Sequence, residues 1–528
     1  MKKGFRHLIS STCNKVKHKS MKQSYYHPLI ASMLALFLIL QMPFISITVQ
    51  GKNDLDMVID CSEIKGLIQT YGHINCGPLP NINTPDGTDL SPQYRTTGLN
   101  FIRTHDFFGP TDISMIFPDF TADPTDPLSY NFTETDRHIT SIIESGCTVF
   151  YRLGESASDN DSLRQPPSDF QKWADICKHI IMHYNDGWGN GYYYNISYFE
   201  IWNEPDLSGF WNGTAEQYYQ LYKITAETIR SYDPTLKVGG PCTSSLDNTN
   251  YTNGFLDFIK DNDAPLDFYS WHRYADSPYQ LYQGGRFVRS LLDEYGFNSV
   301  ESINTEWNIN LIYPQRDNDN AKNAAFTAAS LSILQDAAID KAFRYRGPQD
   351  NNWLLKFIGF DVSLFTSDGL FKTPALSYLA MNILSKDTPY RINSEPVLNS
   401  EYGLTLLAGI SEDRSNISIL ISNYEGELTT INLQLRNLSW ASSYTSIHYC
   451  IDEGHHLEIT DKSILDPENS TLSLTIPPST VYLIRLTDST VIPDEGPEVA
   501  SIPWILRSPL FDPLAKLLAI GVMLLFFG

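Results

Sequence analysis

Positive charge is scarce in this chain. Lys and Arg number 38 against 61 Asp and Glu, a formal balance of −23 over 528 residues. A nucleic-acid partner needs a basic face for its phosphates, so that function class is excluded. The same balance disfavours a polyanionic substrate. Metal-binding spacing is missing too, with no C-x-x-C and no Cys/His cluster along the sequence. No G-x-G-x-x-G opens the first strand–helix unit, which argues against a dinucleotide-binding open sheet. Neither a metal nor a cofactor is therefore expected. Internal repeats, the mark of solenoids and propellers, are absent. Cysteine is sparse, at Cys13, Cys61, Cys76, Cys147, Cys177, Cys242 and Cys450, and spacing alone selects no pairing.

Aromatic residues, by contrast, are plentiful: 30 Tyr, 27 Phe and 9 Trp, too many for a disordered chain. At about 100–200 residues per domain, the length allows a large barrel with a smaller partner. Two apolar runs flank this body. Leu29–Val49 carries no charge and follows Lys15, Lys17, Lys19 and Lys22, the pattern of a signal peptide or signal anchor over residues 1–50. Met21 offers a second start that shortens its leader. Leu517–Phe527 closes the chain as a short tail anchor, a lipid-anchor signal or a packed helix. Sequons occur at Asn131, Asn160, Asn195, Asn212, Asn250, Asn416, Asn437 and Asn469. Together these features lead us to expect a secreted or membrane-anchored protein with an extracellular catalytic domain.

Residues 51–390 alternate short apolar runs with helical patterns, the signature of βαβ units. Eight candidate strands appear: 71–77, 100–105, 148–153, 198–204, 237–240, 267–274, 302–308 and 341–346. Helical spacing lies between most of them, as in Asp169–His183 with Trp173, Ile176, Cys177, Ile180 and Ile181. This is the arithmetic of an α/β fold of the (β/α)8 TIM-barrel type. Over residues 391–487 short alternating strands follow one another without helices, which predicts an antiparallel β-sandwich. An acidic linker and the apolar tail occupy 488–528.

Two strand ends carry the chemistry. The fourth strand runs Tyr198-Phe-Glu-Ile-Trp-Asn203-Glu204 and stops at Pro205, which has no N–H to donate. The seventh runs Ser302-Ile-Asn-Thr-Glu306-Trp307-Asn308. In a barrel these strands face each other across the C-terminal mouth, where active sites sit. Paired carboxylates there suit glycoside hydrolysis: one protonated to assist the leaving oxygen, one ionised to meet the oxocarbenium-like centre. A gap of about 5–5.5 Å favours retention and one of about 6.5–9.5 Å favours inversion. Asn203, beside Glu204, is placed to hydrogen-bond a sugar 2-hydroxyl.

Trp202-Asn-Glu-Pro-Asp206 followed by Gly209-Phe-Trp-Asn-Gly-Thr214 closely resembles glycoside hydrolase family 39, a family of β-xylosidases and α-L-iduronidases in the clan A retaining glycosidases. The resemblance continues through Phe101-Ile-Arg-Thr-His105, Tyr130-Asn-Phe132, Asp233-Pro234, Lys237-Val-Gly-Gly-Pro241, Ser270-Trp-His-Arg-Tyr274 and Thr305-Glu-Trp-Asn308. It implies a barrel with a sandwich behind it, Glu204 as general acid/base and Glu306 as nucleophile. It further implies Asn203 at the 2-hydroxyl, and His105, His272 and Tyr274 around the glycone. Trp307 and Trp353 are further candidates for sugar contact, each with core or surface packing as the plainer reading. Arg103, Arg273, Arg344 and Arg346 would suit a uronate if they faced the mouth; otherwise they pair with barrel carboxylates. The expected activity is a retaining exo-glycosidase on an oligosaccharide or glycoside, most like a β-xylosidase. The alternatives are a uronidase of iduronidase type and a non-catalytic carbohydrate-binding barrel.

Overall fold

The computed structural model describes residues 52–489 apart from 80–86, 106–108, 157–159, 311–317, 350–360, 396–397, 400–402, 441–442 and 467–470. The expected leader, both apolar runs, Trp353 and Asn469 lie outside the described residues. Among those described, no helix is long and apolar enough to cross a membrane. Their six cysteines are all buried, and no disulfide joins them.

Strand β1 (Lys52–Leu67) precedes the barrel. The barrel itself closes in chain order from β2 (His73–Asn75), β3 (Phe101–Arg103), β4 (Thr148–Leu153) and β5 (Tyr198–Ile201) to β6 (Lys237–Thr243), β7 (Phe268–Ala275), β8 (Glu301–Ile309) and β9 (Lys341–Arg344). Each predicted strand overlaps one of the eight, and every neighbouring pair is parallel. Side chains alternate along a strand, so the interior fills in layers. Phe101, Phe150, Phe268, Ile303 and Phe343, with Tyr198, form an apolar plug. Two residues further along their strands come Arg103, Arg152 and Glu200, all buried. The barrel is therefore apolar below and polar towards its C-terminal mouth.

Helices Thr133–Glu144, Phe170–Asp186, Ala215–Tyr232 and Pro278–Tyr295 present apolar faces to the strands. Two others, Ala321–Ile333 and Thr373–Asp387, are buried almost throughout. A helix apolar or small on all sides belongs between layers. Both pack against the second domain, where Ser422 Oγ donates to the Ala325 carbonyl at 2.7 Å.

The second domain is a hydrogen-bonded sheet of ten strands. It contains β1 and, from the C-terminal part, β10 (Tyr390–Glu395), β11 (Leu398–Asn399), β12 (Leu404–Ile410), β13 (Asn416–Asn423), β14 (Thr429–Arg436), β15 (Tyr444–Ile451), β16 (His456–Leu465), β17 (Thr471–Ile476) and β18 (Thr480–Asp488). Ile417, Ile419 and Ile421 of β13 share one core with Ile431, Leu433 and Leu435 of β14, so the sheet curls into a two-layered sandwich. The expected domain boundaries need correction here. Residues 52–67 do not open the barrel; β1 bridges the sandwich, antiparallel to β10 and parallel to β14, and buries Met57, Ile59 and Cys61 in its core.

Candidate active site

The loop that carries Glu204 is bent hard and held firmly. Trp202 and Glu204 adopt left-handed backbone angles, with φ of 75° and 43°. Such conformations cost about 1–3 kcal/mol each and need surroundings that enforce them. Trp202 N–H donates to the Leu153 carbonyl at 2.6 Å, and its ring packs between Trp173 and Trp211. Glu204 N–H donates to the Cys242 carbonyl at 3.0 Å. Asp206 accepts both the N–H and the hydroxyl of Ser244. The next helix opens at Thr214 with a capping box to Gln217, which fixes the far end of the loop.

A bulge aims the second carboxylate. Trp271 and His272 of β7 face Asn304 and Glu306, so β8 carries one extra residue. On its other side Asn304 and Trp307 face Ala342 and Arg344, which repeats the offset. The extra residue resets the alternation, as bulges do beside active sites. Glu306 then shares the inner face with Ile303, and Trp307 turns outward. Trp307 is fully buried against Phe326 and Arg344, so the expectation of a sugar contact is corrected to core packing.

Glu204, Glu306 and His272 offer donor atoms within 4.8 Å of one another. That spacing lies on the retaining side of the glycosidase geometries. Their surroundings differ in kind. Glu306 accepts from Arg103 Nη1 at 2.9 Å and from the Tyr274 hydroxyl at 2.7 Å. His105 Nε2 stands 3.5 Å from it. Among the described residues no Lys or Arg contacts Glu204; its Oε1 lies 2.8 Å from His272 Nδ1. Burial, reinforced by Asp206, pushes the Glu204 carboxyl up to about 8. Burial raises Glu306 also, and Arg103 and the Tyr274 hydroxyl limit the rise. Burial therefore favours the protonated form of Glu204, while the bonds from Arg103 and Tyr274 favour the ionised form of Glu306, the difference an acid and a nucleophile require. Both histidines are kept from ionising, His272 and more strongly His105, chiefly by burial.

Arg103 is the hub beneath this pair. Its Nε meets Glu200 at 2.7 Å, Nη1 meets Asn75 at 3.0 Å and Glu306 at 2.9 Å, and Nη2 meets Asn203 at 2.7 Å and Cys242 Sγ at 3.1 Å. All five guanidinium donors are thus used. Asn203 gives its oxygen to Arg103, while its buried Nδ2 has no partner among the described residues. That N–H pair is left to donate to a hydroxyl of a bound molecule. Replacing Arg103 by methionine strands Glu200 and Glu306 in the interior. We expect a loss of about 3–5 kcal/mol in denaturant unfolding at neutral pH; a change under about 1 kcal/mol would contradict this pairing scheme.

The other arginines have separate partners, although Arg346 is near enough to His105 to help keep that ring neutral. Arg344 points into the helix layer, bonding Thr327 and Asn323 beside the Trp307 ring. Arg273 lies 3.6 Å from Asp247, and Arg346 Nε donates to the Pro348 carbonyl. Asn75, Glu200 and Cys242 belong to the site and were not singled out from sequence. One signal could have found Glu200: an inward arginine at Arg103 demands a carboxylate, and Glu200 is the inward neighbour two places after Tyr198. Among the described residues one further trio could hold a metal, Cys450, Asp452 and His455, at the turn between β15 and β16. There Asp452 Oδ1 already accepts from the Gly454 and His455 N–H groups and lies 2.9 Å from His455 Nδ1, closing the turn.

Known proteins resemble this chain in sequence and in fold. A β-xylosidase from Geobacillus stearothermophilus is 28% identical over 264 residues, which span 44% of this chain and 52% of that protein. A β-xylosidase from Caldicellulosiruptor saccharolyticus is 31% identical over 188 residues, 34% of this chain and 37% of the relative. The chain thus spans about half or less of the length of these curated relatives. The crystal structure of a glucosidase from Croceicoccus marinus superposes with a TM-score of 0.72 at 26% identity, covering 83% of this chain and 99% of that one. The model of glycosyl hydrolases family 39 matches residues 69–386, and the chain belongs to that family.

Proposed function

We propose that this protein is a retaining exo-glycosidase, most like a β-xylosidase. The observation that supports it best is the unequal pair: two carboxyl groups within 4.8 Å, one beside a cation and a tyrosine hydroxyl, the other raised to about 8. In the first step Glu204 gives its proton to the leaving oxygen while Glu306 attacks the anomeric carbon. In the second, Glu204 takes a proton from water, which displaces the sugar from Glu306. Asn203 Nδ2 is free to hold the 2-hydroxyl, a bond that strengthens as charge develops. His105, His272 and Tyr274 ring the glycone.

A neutral sugar fits this site better than a uronate. Arg103 is saturated by two carboxylates and two amides, and Arg344 faces away from the mouth. The named relatives leave xylose and glucose as the leading glycones. A panel of aryl xylosides, arabinosides, glucosides and iduronides tests the reading. Turnover of a neutral glycoside is expected. Turnover of iduronides alone would replace the glycone, and binding without turnover on every member would favour a carbohydrate-binding barrel.

Export is part of this proposal. It draws on the sequons, of which Asn131, Asn160, Asn195, Asn212, Asn250 and Asn437 have exposed side chains. Expression in a glycosylating host followed by enzymatic glycan removal should increase gel mobility. Unchanged mobility would count against passage through a glycosylating compartment.

A further inference from the structure

Cys242 sits where no motif announces it. Pro241 of β6 pairs with Ser270 and Thr243 with Trp271, so Cys242 is the extra residue of a bulge. Its φ of 57° is left-handed, and its side chain is wholly buried. The bulge turns the thiol into the polar layer of the barrel. There Sγ lies 3.0 Å from His272 Nε2, 3.1 Å from Arg103 Nη2, 3.4 Å from Asn203 Oδ1 and 3.5 Å from Thr305 Oγ1. The carbonyl of the same residue holds the Glu204 N–H.

The protons in this cluster can be counted. Arg103 is always protonated, and its Nη2, which also lies 2.6 Å from Glu200 and 2.7 Å from Asn203, donates to Sγ at 3.1 Å. Sulfur is thus an acceptor towards Arg103, and its own hydrogen must go elsewhere. Asn203 Oδ1 is more distant and already takes a 2.7 Å bond from Arg103. The nearest acceptor is His272 Nε2. Burial raises the Cys242 thiol, so it keeps its hydrogen, and burial lowers His272, so the ring carries one proton only. A ring that accepts at Nε2 carries that proton at Nδ1.

We infer that Cys242 fixes His272 in the Nδ1–H tautomer, so that His272 donates to Oε1 of Glu204 and leaves Oε2 to carry the proton delivered to the leaving oxygen. The inference rests on Glu204 being the acid/base. The chain runs from Arg103 N–H to Sγ, from S–H to Nε2, and from Nδ1–H to Oε1, 2.8 Å away. Every link keeps its direction through both chemical steps; only the Oε2 proton leaves and returns. The opposite tautomer would offer a lone pair at Nδ1, which would draw the Glu204 proton away from the substrate. Cys242 is therefore a positioning residue.

Two measurements on the full chain decide this. Nitrogen-15 shifts of labelled histidine, with His272 assigned by its loss in His272→Gln, should show Nδ1–H and bare Nε2 in the wild type. An Nε2–H ring overturns the inference whatever the variants do. In kinetics, Cys242→Ser can still accept and donate, and should retain wild-type rates within about threefold. Cys242→Ala should lose about tenfold or more on phenyl glycosides, which need the proton, and less than about twofold on dinitrophenyl glycosides, which do not. Equal loss on both, or no loss on either, contradicts the inference. A wild type inactive on all activated glycosides would instead defeat the acid/base reading and leave the tautomer measurement standing by itself.

Discussion

Glu306→Ala is expected to lower turnover of aryl glycosides by about 10⁴-fold or more, because the covalent intermediate needs a nucleophile and the other carboxylate of the pair, Glu204, is the acid. The bulge in β8 delivers this carboxylate to the inner face, and Arg103 and Tyr274 hold it at 2.9 and 2.7 Å. Their bonds favour the ionised form and counter part of the penalty of burial. Removing the side chain also empties a space beside Arg103. Azide admitted there should attack in its place and release a glycosyl azide of inverted configuration. Its appearance in the mutant, and not in the wild type, identifies the missing group as the nucleophile. Unchanged turnover in Glu306→Ala would sink the assignment.

Glu204 predicts a different signature. Its carboxyl, raised to about 8 mainly by burial, is protonated below that pH and loses its proton above it. The first chemical step needs the protonated form. Activity on substrates with poor leaving groups should therefore fall as pH rises through about 8. Glu204→Gln should lose about 10²–10⁴-fold on phenyl glycosides and show no such alkaline limb. Loss on dinitrophenyl glycosides in that first step should be far smaller, since their oxygens depart unaided. The same shift has a sign for stability. A carboxyl whose folded value is raised above 4.5 favours the folded state least at high pH, so Glu204→Gln should melt higher than wild type above pH 8. A wild-type limb that survives in Glu204→Gln would assign the titration to another group.

Much of the barrel was legible because its strands are short apolar runs that end in polar residues. Tyr198–Ile201 shows this most clearly, since Asn203 and Glu204 stand just past its end, whereas Glu306 lies within the more polar strand Glu301–Ile309. Strand β1 was not legible as part of the sandwich. Its partners are β10 and β14, hundreds of residues away, and no local pattern records a long-range pairing. Strand β16 escaped notice for another reason: most of its residues are exposed, so it lacks an alternating apolar face. Within the site, motifs pointed to the two carboxylates and their neighbours at the mouth, while Asn75, Glu200 and Cys242 act on Arg103 and His272 from below. Such supporting residues follow from geometry, because a bulge or a satisfied guanidinium leaves no fixed spacing in a sequence. Trp307 shows the converse, a tryptophan beside the key carboxylate that the strand's pleat turns into the core.

The account depends most on a covalent sugar at Glu306. The direct measurement is to treat the wild type with the dinitrophenyl 2-deoxy-2-fluoro derivative of its best panel substrate, digest it, and find the modified peptide by mass spectrometry. The account predicts inactivation with one fluorosugar ester on the peptide that contains Glu306. Inactivation with the label on another carboxylate, or steady turnover with inversion and no label, would contradict it.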